Sequence, residues 1–95
     1  MKIVWTEPAR HDLHEIFEYI TEEDPHAART LLNKIKDHVL FLLNNPQIGQ
    51  VGRVEGTREL VLAGTHFILP YRLKDQQIQI LAVFHVEKMV GSFHN

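Results

Sequence analysis

From Thr57 to Val86 the chain reads TRELVLAGTHFILPYRLKDQQIQILAVFHV, a run that few arrangements can accommodate. Val, Ile, Leu, Phe, Tyr and Thr dominate it, and its two breaks, at Gly64-Thr65 and at Lys74 to Gln77, are short and polar. That pattern predicts an antiparallel meander of three strands over Thr57 to Ala63, His66 to Leu73 and Ile78 to Val86. In the last of these, Ile78, Ile80, Ala82 and Phe84 alternate with Leu81, Val83 and His85, so both faces are apolar until His85. A strand apolar on both sides belongs in the middle of its sheet. Pro70 interrupts the second segment. Proline has no N–H to give the ladder, so a bulge or local break is expected beside it, with consequences for Tyr71 and Arg72.

The residues upstream have a different period. Lys2-Ile3-Val4-Trp5 reads as a short strand, after which Thr6 is placed to cap a helix whose first turn holds Pro8. Ala9, Leu13, Ile16, Phe17 and Ile20 form one helical stripe, with His11, Glu15, Glu18 and Glu22 opposite. Asp24-Pro25 ends this helix and starts another, with Asp24 as N-cap. The second helix buries Ala28, Leu31, Leu32, Ile35, Val39, Leu42 and Leu43, and stops before Pro46. Leu40 and Phe41 fall outside that stripe, Phe41 nearly opposite its centre. The tight corner makes the helices an antiparallel hairpin whose apolar seam covers one face of the sheet. Residues 46–56 form a loop with three glycines, and the polar tail from Glu87 to Asn95 either frays or covers a sheet edge.

Ninety-five residues suit one domain with one core, taken here as 1–95. There is no cysteine, no long apolar leader after MKIVW and no run of membrane-spanning length. A cytoplasmic chain is therefore expected. The formal charge of −2 is unevenly spread: residues 1–45 hold five basic and eight acidic side chains, residues 46–95 five and four. Phosphate neutralisation drives nucleic-acid affinity, and without a dense Lys/Arg cluster the chain is not built to grip DNA or RNA strongly by itself.

Several residues together carry a family resemblance: Val4-Trp5 followed by Ala9 and Asp12-Leu13, Tyr19-Ile20, Asp24 to Ala28, Leu43 to Pro46, Ile48-Gly49, Gly52-Arg53, Thr57 to Leu60, Ile68 to Arg72 and Ile80 to His85. In this order and spacing the chain resembles the ParE/RelE superfamily of toxins from type II toxin–antitoxin pairs. The implied fold is α+β, β-α-α-β-β-β: an antiparallel four-stranded sheet of order 1-4-3-2 with a helix hairpin packed on one face. The resemblance implies a cognate antitoxin as partner, a homodimer or toxin–antitoxin hetero-oligomer, and no cofactor, metal or membrane. Two activities come with it. RelE-type members cut mRNA in the ribosome, whereas ParE-type members inhibit DNA gyrase.

Cleavage through a 2′-hydroxyl needs a base, an acid and cations for the developing charge. RelE-type toxins place basic residues along the second, third and fourth strands, and here that set is reduced to Arg58, Arg72 and His85. The reduction and the acidic balance make the chain resemble ParE more closely, with a gyrase-binding toxin as the expectation. The alternatives are an mRNA endoribonuclease and an inactive toxin-like partner of the antitoxin. Arg53, Arg58, Arg72 and His85 are the candidate target contacts, and Leu40 and Phe41 the candidate partner contacts. Each has a plainer reading. Arg58 pairs with an acid across a strand, Arg53 is a turn residue and Arg72 solvates the end of the sheet. His85 is a hydrogen-bonded structural histidine, and Leu40 and Phe41 are covered by loop or tail. Tyr71 reads as packed aromatic before acid catalyst. His11, His14, Glu15 and Glu18 have metal-ligand spacing, but His11, Glu15 and Glu18 lie on a solvated helix face.

Overall fold

A computed structural model describes residues 1–86. Strand β1 (Lys2–Trp5) leads into helices α1 (Glu7–Glu23) and α2 (Pro25–Asn44). Then come β2 (Gln50–Val51), β3 (Arg58–Val61), β4 (Phe67–Lys74), β5 (Gln77–Ile80) and β6 (Phe84–His85). Asp24 makes the corner as its sequence context predicts: its N–H closes α1 on Ile20 O at 2.7 Å, while Oδ1 accepts from the N–H groups of His26 and Ala27 at 3.0 and 3.2 Å. Thr6 does not cap with its side chain. Its hydroxyl donates instead to Ile80 O at 2.7 Å, tying the start of α1 to the sheet.

The sheet runs β1-β5-β4-β3-β2, with β6 also on β4, and it corrects the expected arrangement in three respects. It is mixed, because β1 pairs parallel with β5 in the register Ile3↔Ile78 and Trp5↔Ile80. Its strands number six rather than four. One is β2, formed where the glycine loop folds back so that Gln50 faces Glu59. The other arises because the last predicted strand is broken into β5 and β6. Strand β5 is central, between β1 and β4, as expected, but only its Ile78 and Ile80 face is apolar; Gln77 and Gln79 occupy the other.

The break lies opposite Pro70. Tyr71 faces Ile80 and Ile68 faces Phe84, so Leu69 and Pro70 stand against three residues, Leu81 to Val83. Leu81 N–H donates to Pro70 O at 2.8 Å, but Pro70 has no N–H to return. The extra residue makes a bulge. Past it the side-chain parity flips: Val83 joins Ile78 and Ile80 in the core, while Phe84 is 41% exposed. The expected alternation of Ile78, Ile80, Ala82 and Phe84 on one face therefore holds only as far as Ile80.

The core lies between the hairpin and one face of the sheet. Ala9, Leu31, Ile35 and Leu42 from the helices meet Leu60, Leu62, Phe67, Leu69, Tyr71, Ile78, Ile80 and Val83, flanked by Leu13, Ile16, Ile20, Val39 and Leu43. At the far hairpin Asp75 and Gln76 take positive φ of 54° and 61°, the two-residue turn that suits the twist of β4 and β5. Among the described residues no helix is long and apolar enough to cross a membrane.

Candidate functional site

The candidate residues are spread over several places on the fold. The first lies where α2 passes the edge of the sheet. Phe41 and His38 on α2, Ile48 and Gly49 in the loop, and Glu59 and Val61 on β3 line an open groove of ≈ 430 Å³. Phe41 is 52% exposed and Leu40 60%, so the described part of the 46–56 loop leaves both accessible; cover by the tail lies outside the described residues. Strand β2 pairs with β3 only at Arg58 and Glu59, leaving the outer edge of β3 uncovered at Val61.

A buried latch shapes the groove wall. Tyr71 is fully buried and its hydroxyl donates to Pro46 O at 2.8 Å while accepting from Gly49 N–H at 3.0 Å. Its cross-strand neighbour Arg58 sends Nη1 to Gln47 O at 3.1 Å and Gly49 O at 2.9 Å. Desolvation holds the Tyr71 phenol above its ordinary value, with the Gly49 N–H and the Arg58 charge pulling more weakly the other way. Arg58 is thus engaged with loop carbonyls rather than with an acid across a strand. His38 ties the opposite wall together: Nδ1 lies 2.7 Å from Lys34 O, and Nε2 accepts from Ala63 N–H at 3.3 Å. Nδ1 beside a carbonyl must carry the proton, which leaves Nε2 as acceptor.

Arg53 stays at the loop, its Nε 3.5 Å from Glu59 Oε2 and its N–H donating to the same oxygen at 3.3 Å. Arg72 lies on the face away from the helices, its Nε donating to Gln79 Oε1 at 2.6 Å. His85 packs its ring edge-on to Phe67 at 5.0 Å and stacks on His66 at 5.8 Å, with a buried Nδ1 that has no hydrogen-bond partner among the described residues. It is packed, but not hydrogen-bonded through Nδ1. Arg58 and Arg72 therefore point to opposite faces, and His85 faces Phe67, four residues up β4 from Tyr71, or roughly 13 Å. The structure does not bring these three together. His11–Glu15 and His14–Glu18 pair on the exposed face of α1 at 3.1 and 2.8 Å, and among the described residues no three potential ligands converge on one point.

Sequence reasoning missed the latch and also Asp12, whose Oδ2 accepts the N–H of bulge residue Val83 at 3.0 Å. The signal for Asp12 was present: it sits between Ala9 and Ile16 at helical spacing, an acid inside the apolar stripe.

Comparison with known proteins agrees with this architecture. Residues 3–90 match the family described as the ParE toxin of type II toxin-antitoxin system, parDE. Protein Y4kP of Sinorhizobium fredii, a relative named as a toxin, is 40% identical over 87 residues, covering 92% of this chain and 90% of its own. A chain of the solved chromosomal ParDE TA system from P. aeruginosa superposes with a TM-score of 0.80 at 31% identity, covering 90% of this chain and 96% of that one. The class is thus the toxin component of a type II toxin–antitoxin system. Within it, the chain belongs to the ParE toxin family.

Proposed function

We propose that this ParE-family chain acts in the cytoplasm by inhibiting DNA gyrase and is neutralised by a cognate antitoxin. The separation of Arg58, Arg72 and His85 carries the reading. A nuclease needs its base, acid and charge-stabilising cation within reach of one phosphate. Here one candidate holds loop carbonyls, one lies on the opposite face, and one packs against Phe67 at the other end of β4. A toxin that acts by binding requires no such convergence. Purified protein should inhibit supercoiling by gyrase and leave ribosome-bound mRNA intact. His85→Ala should stay folded and keep its growth inhibition. Loss of toxicity together with loss of mRNA cleavage in that variant would establish the endoribonuclease instead.

The antitoxin reading draws on the groove beside α2. Exposed Leu40 and Phe41, the apolar wall at Ile48 and the uncovered edge of β3 at Val61 suit a segment that is disordered when free and settles as a helix or added strand. Phe41→Ser should leave the monomer folded and weaken antitoxin binding by about 2 kcal/mol, measured by calorimetry. Unchanged affinity would remove Phe41 from the interface.

A further inference from the structure

The face of the sheet turned away from the helices carries a cationic patch assembled from distant parts of the sequence. Lys2 on β1 and Lys74 on β4 both stand beside Gln77 of β5, and Arg72 and Val4 stand beside Gln79 in the next row. With strands about 4.8 Å apart, Lys2 and Lys74 are separated by roughly 10 Å of backbone, and Arg72 lies about 7 Å along β4. All three cations are exposed, and among the described residues none is in an ion pair. The acid nearest in sequence is Asp75, at the hairpin tip.

The glutamines order this patch. Gln79 Nε2 donates to Gln77 Oε1 at 3.1 Å, which turns Gln79 Oε1 toward Arg72 Nε at 2.6 Å. With Nε held, the exposed guanidinium keeps its two terminal nitrogens for a ligand, and such a fork can take a carboxylate bidentately. On the other side of the molecule, α1 carries six acidic side chains against one arginine. An acidic partner is repelled by that helix and drawn to the sheet, which fixes its direction of approach.

We infer that this outer face is a docking surface for an acidic, carboxylate-rich protein segment. Nucleic acid carries the same sign but fits less well. Three cations neutralise few phosphates, and the two rows built from Lys2, Val4, Arg72, Lys74, Gln77 and Gln79 offer no aromatic ring for a base to stack on. The surface does not depend on gyrase being the target, since binding by the purified chain is measured without it.

The test uses fluorescence anisotropy with two probes, a labelled poly-glutamate peptide and a labelled oligothymidylate of matched charge, over a range of salt. The peptide should bind more tightly than the oligonucleotide. Lys2→Glu with Lys74→Glu should weaken the peptide about tenfold or more, and Lys2→Arg with Lys74→Arg should restore it. Gln79→Ala should weaken it several-fold by releasing Arg72, as should Arg72→Lys, which keeps the charge and loses the fork. Circular dichroism should show the same melting for the variants at Lys2, Arg72 and Lys74, which are exposed. Equal peptide binding by the charge-reversed protein overturns the site. Tighter binding of the oligonucleotide, lost in the same variants, overturns the choice of partner.

Discussion

Gly49→Ala should be among the most destabilising single-atom additions this fold can receive. A Cβ at that position would lie 2.6 Å from Tyr71 Cε1 and 2.7 Å from its hydroxyl oxygen. The ring cannot retreat easily, because it is fully buried and its hydroxyl is held by Pro46 O and Gly49 N–H. The expected cost is about 2–3 kcal/mol, which for a domain this small lowers the melting temperature by roughly 10 °C or more. Tyr71→Phe removes the hydroxyl without adding a clash, yet leaves a carbonyl and an N–H unpaired, at about 1–3 kcal/mol. Arg58→Ala should cost less, because its partly exposed site lets water reach the abandoned carbonyls.

The phenol adds a pH dependence to this latch. Its folded value is raised above that of the unfolded chain, so its contribution is complete below about pH 10 and falls as pH rises through the folded value. Stability measured against pH should therefore drop at the alkaline end in the parent and less steeply in Tyr71→Phe. Since the latched loop forms a wall of the groove at Ile48, both variants should also weaken whatever binds there. Unchanged melting in both would mean that residues 46–49 are not held by Tyr71.

The two helices, the Asp24 corner and the meander were legible because each is written locally, in apolar period, in an Asp-Pro cap and in short polar breaks. The parallel pairing of β1 with β5 was not. A four-residue strand shows the same alternation whichever way its neighbour runs, so its direction is settled by the path of the hairpin back to the sheet. Pro70 announced a disturbance but not where the extra residue would go, since a proline removes a donor and the facing strand decides how to respond. For the candidate residues the limit is similar. Arg58, Arg72 and His85 could be picked out by type, but the faces of Arg58 and Arg72 depend on how β3 and β4 register, and His85 lies past a bulge that reverses the parity of its strand. The role of Tyr71 depends on a loop 22 positions away in sequence, a contact that local spacing does not encode.

Asp12 holds the other side of the bulge, and its removal gives the second large effect. Opposite Pro70 the ladder lapses once Leu81 N–H has bonded Pro70 O, so the N–H of Val83 needs a partner from outside the sheet. Val83 is buried, and its N–H is taken by Asp12 Oδ2 at 3.0 Å. Thr6 Oγ1, already on Ile80 O, lies 3.4 Å from Leu81 O. Helix α1 thus supplies polar groups at the one place where the last strand cannot pair. Asp12→Ala strips a charged acceptor from a buried donor and should cost about 1.5–3 kcal/mol, whereas Asp12→Asn retains an acceptor oxygen and should lose much less. Hydrogen exchange localises the effect: the Val83 amide should lose protection in Asp12→Ala ahead of the Ile78 and Ile80 amides of β5. The consequence reaches the surface, because the bulge turns Phe84 outward and His85 toward Phe67. If Asp12→Ala melts like the parent and its Val83 amide remains protected, the bulge is held by Pro70 and core packing alone.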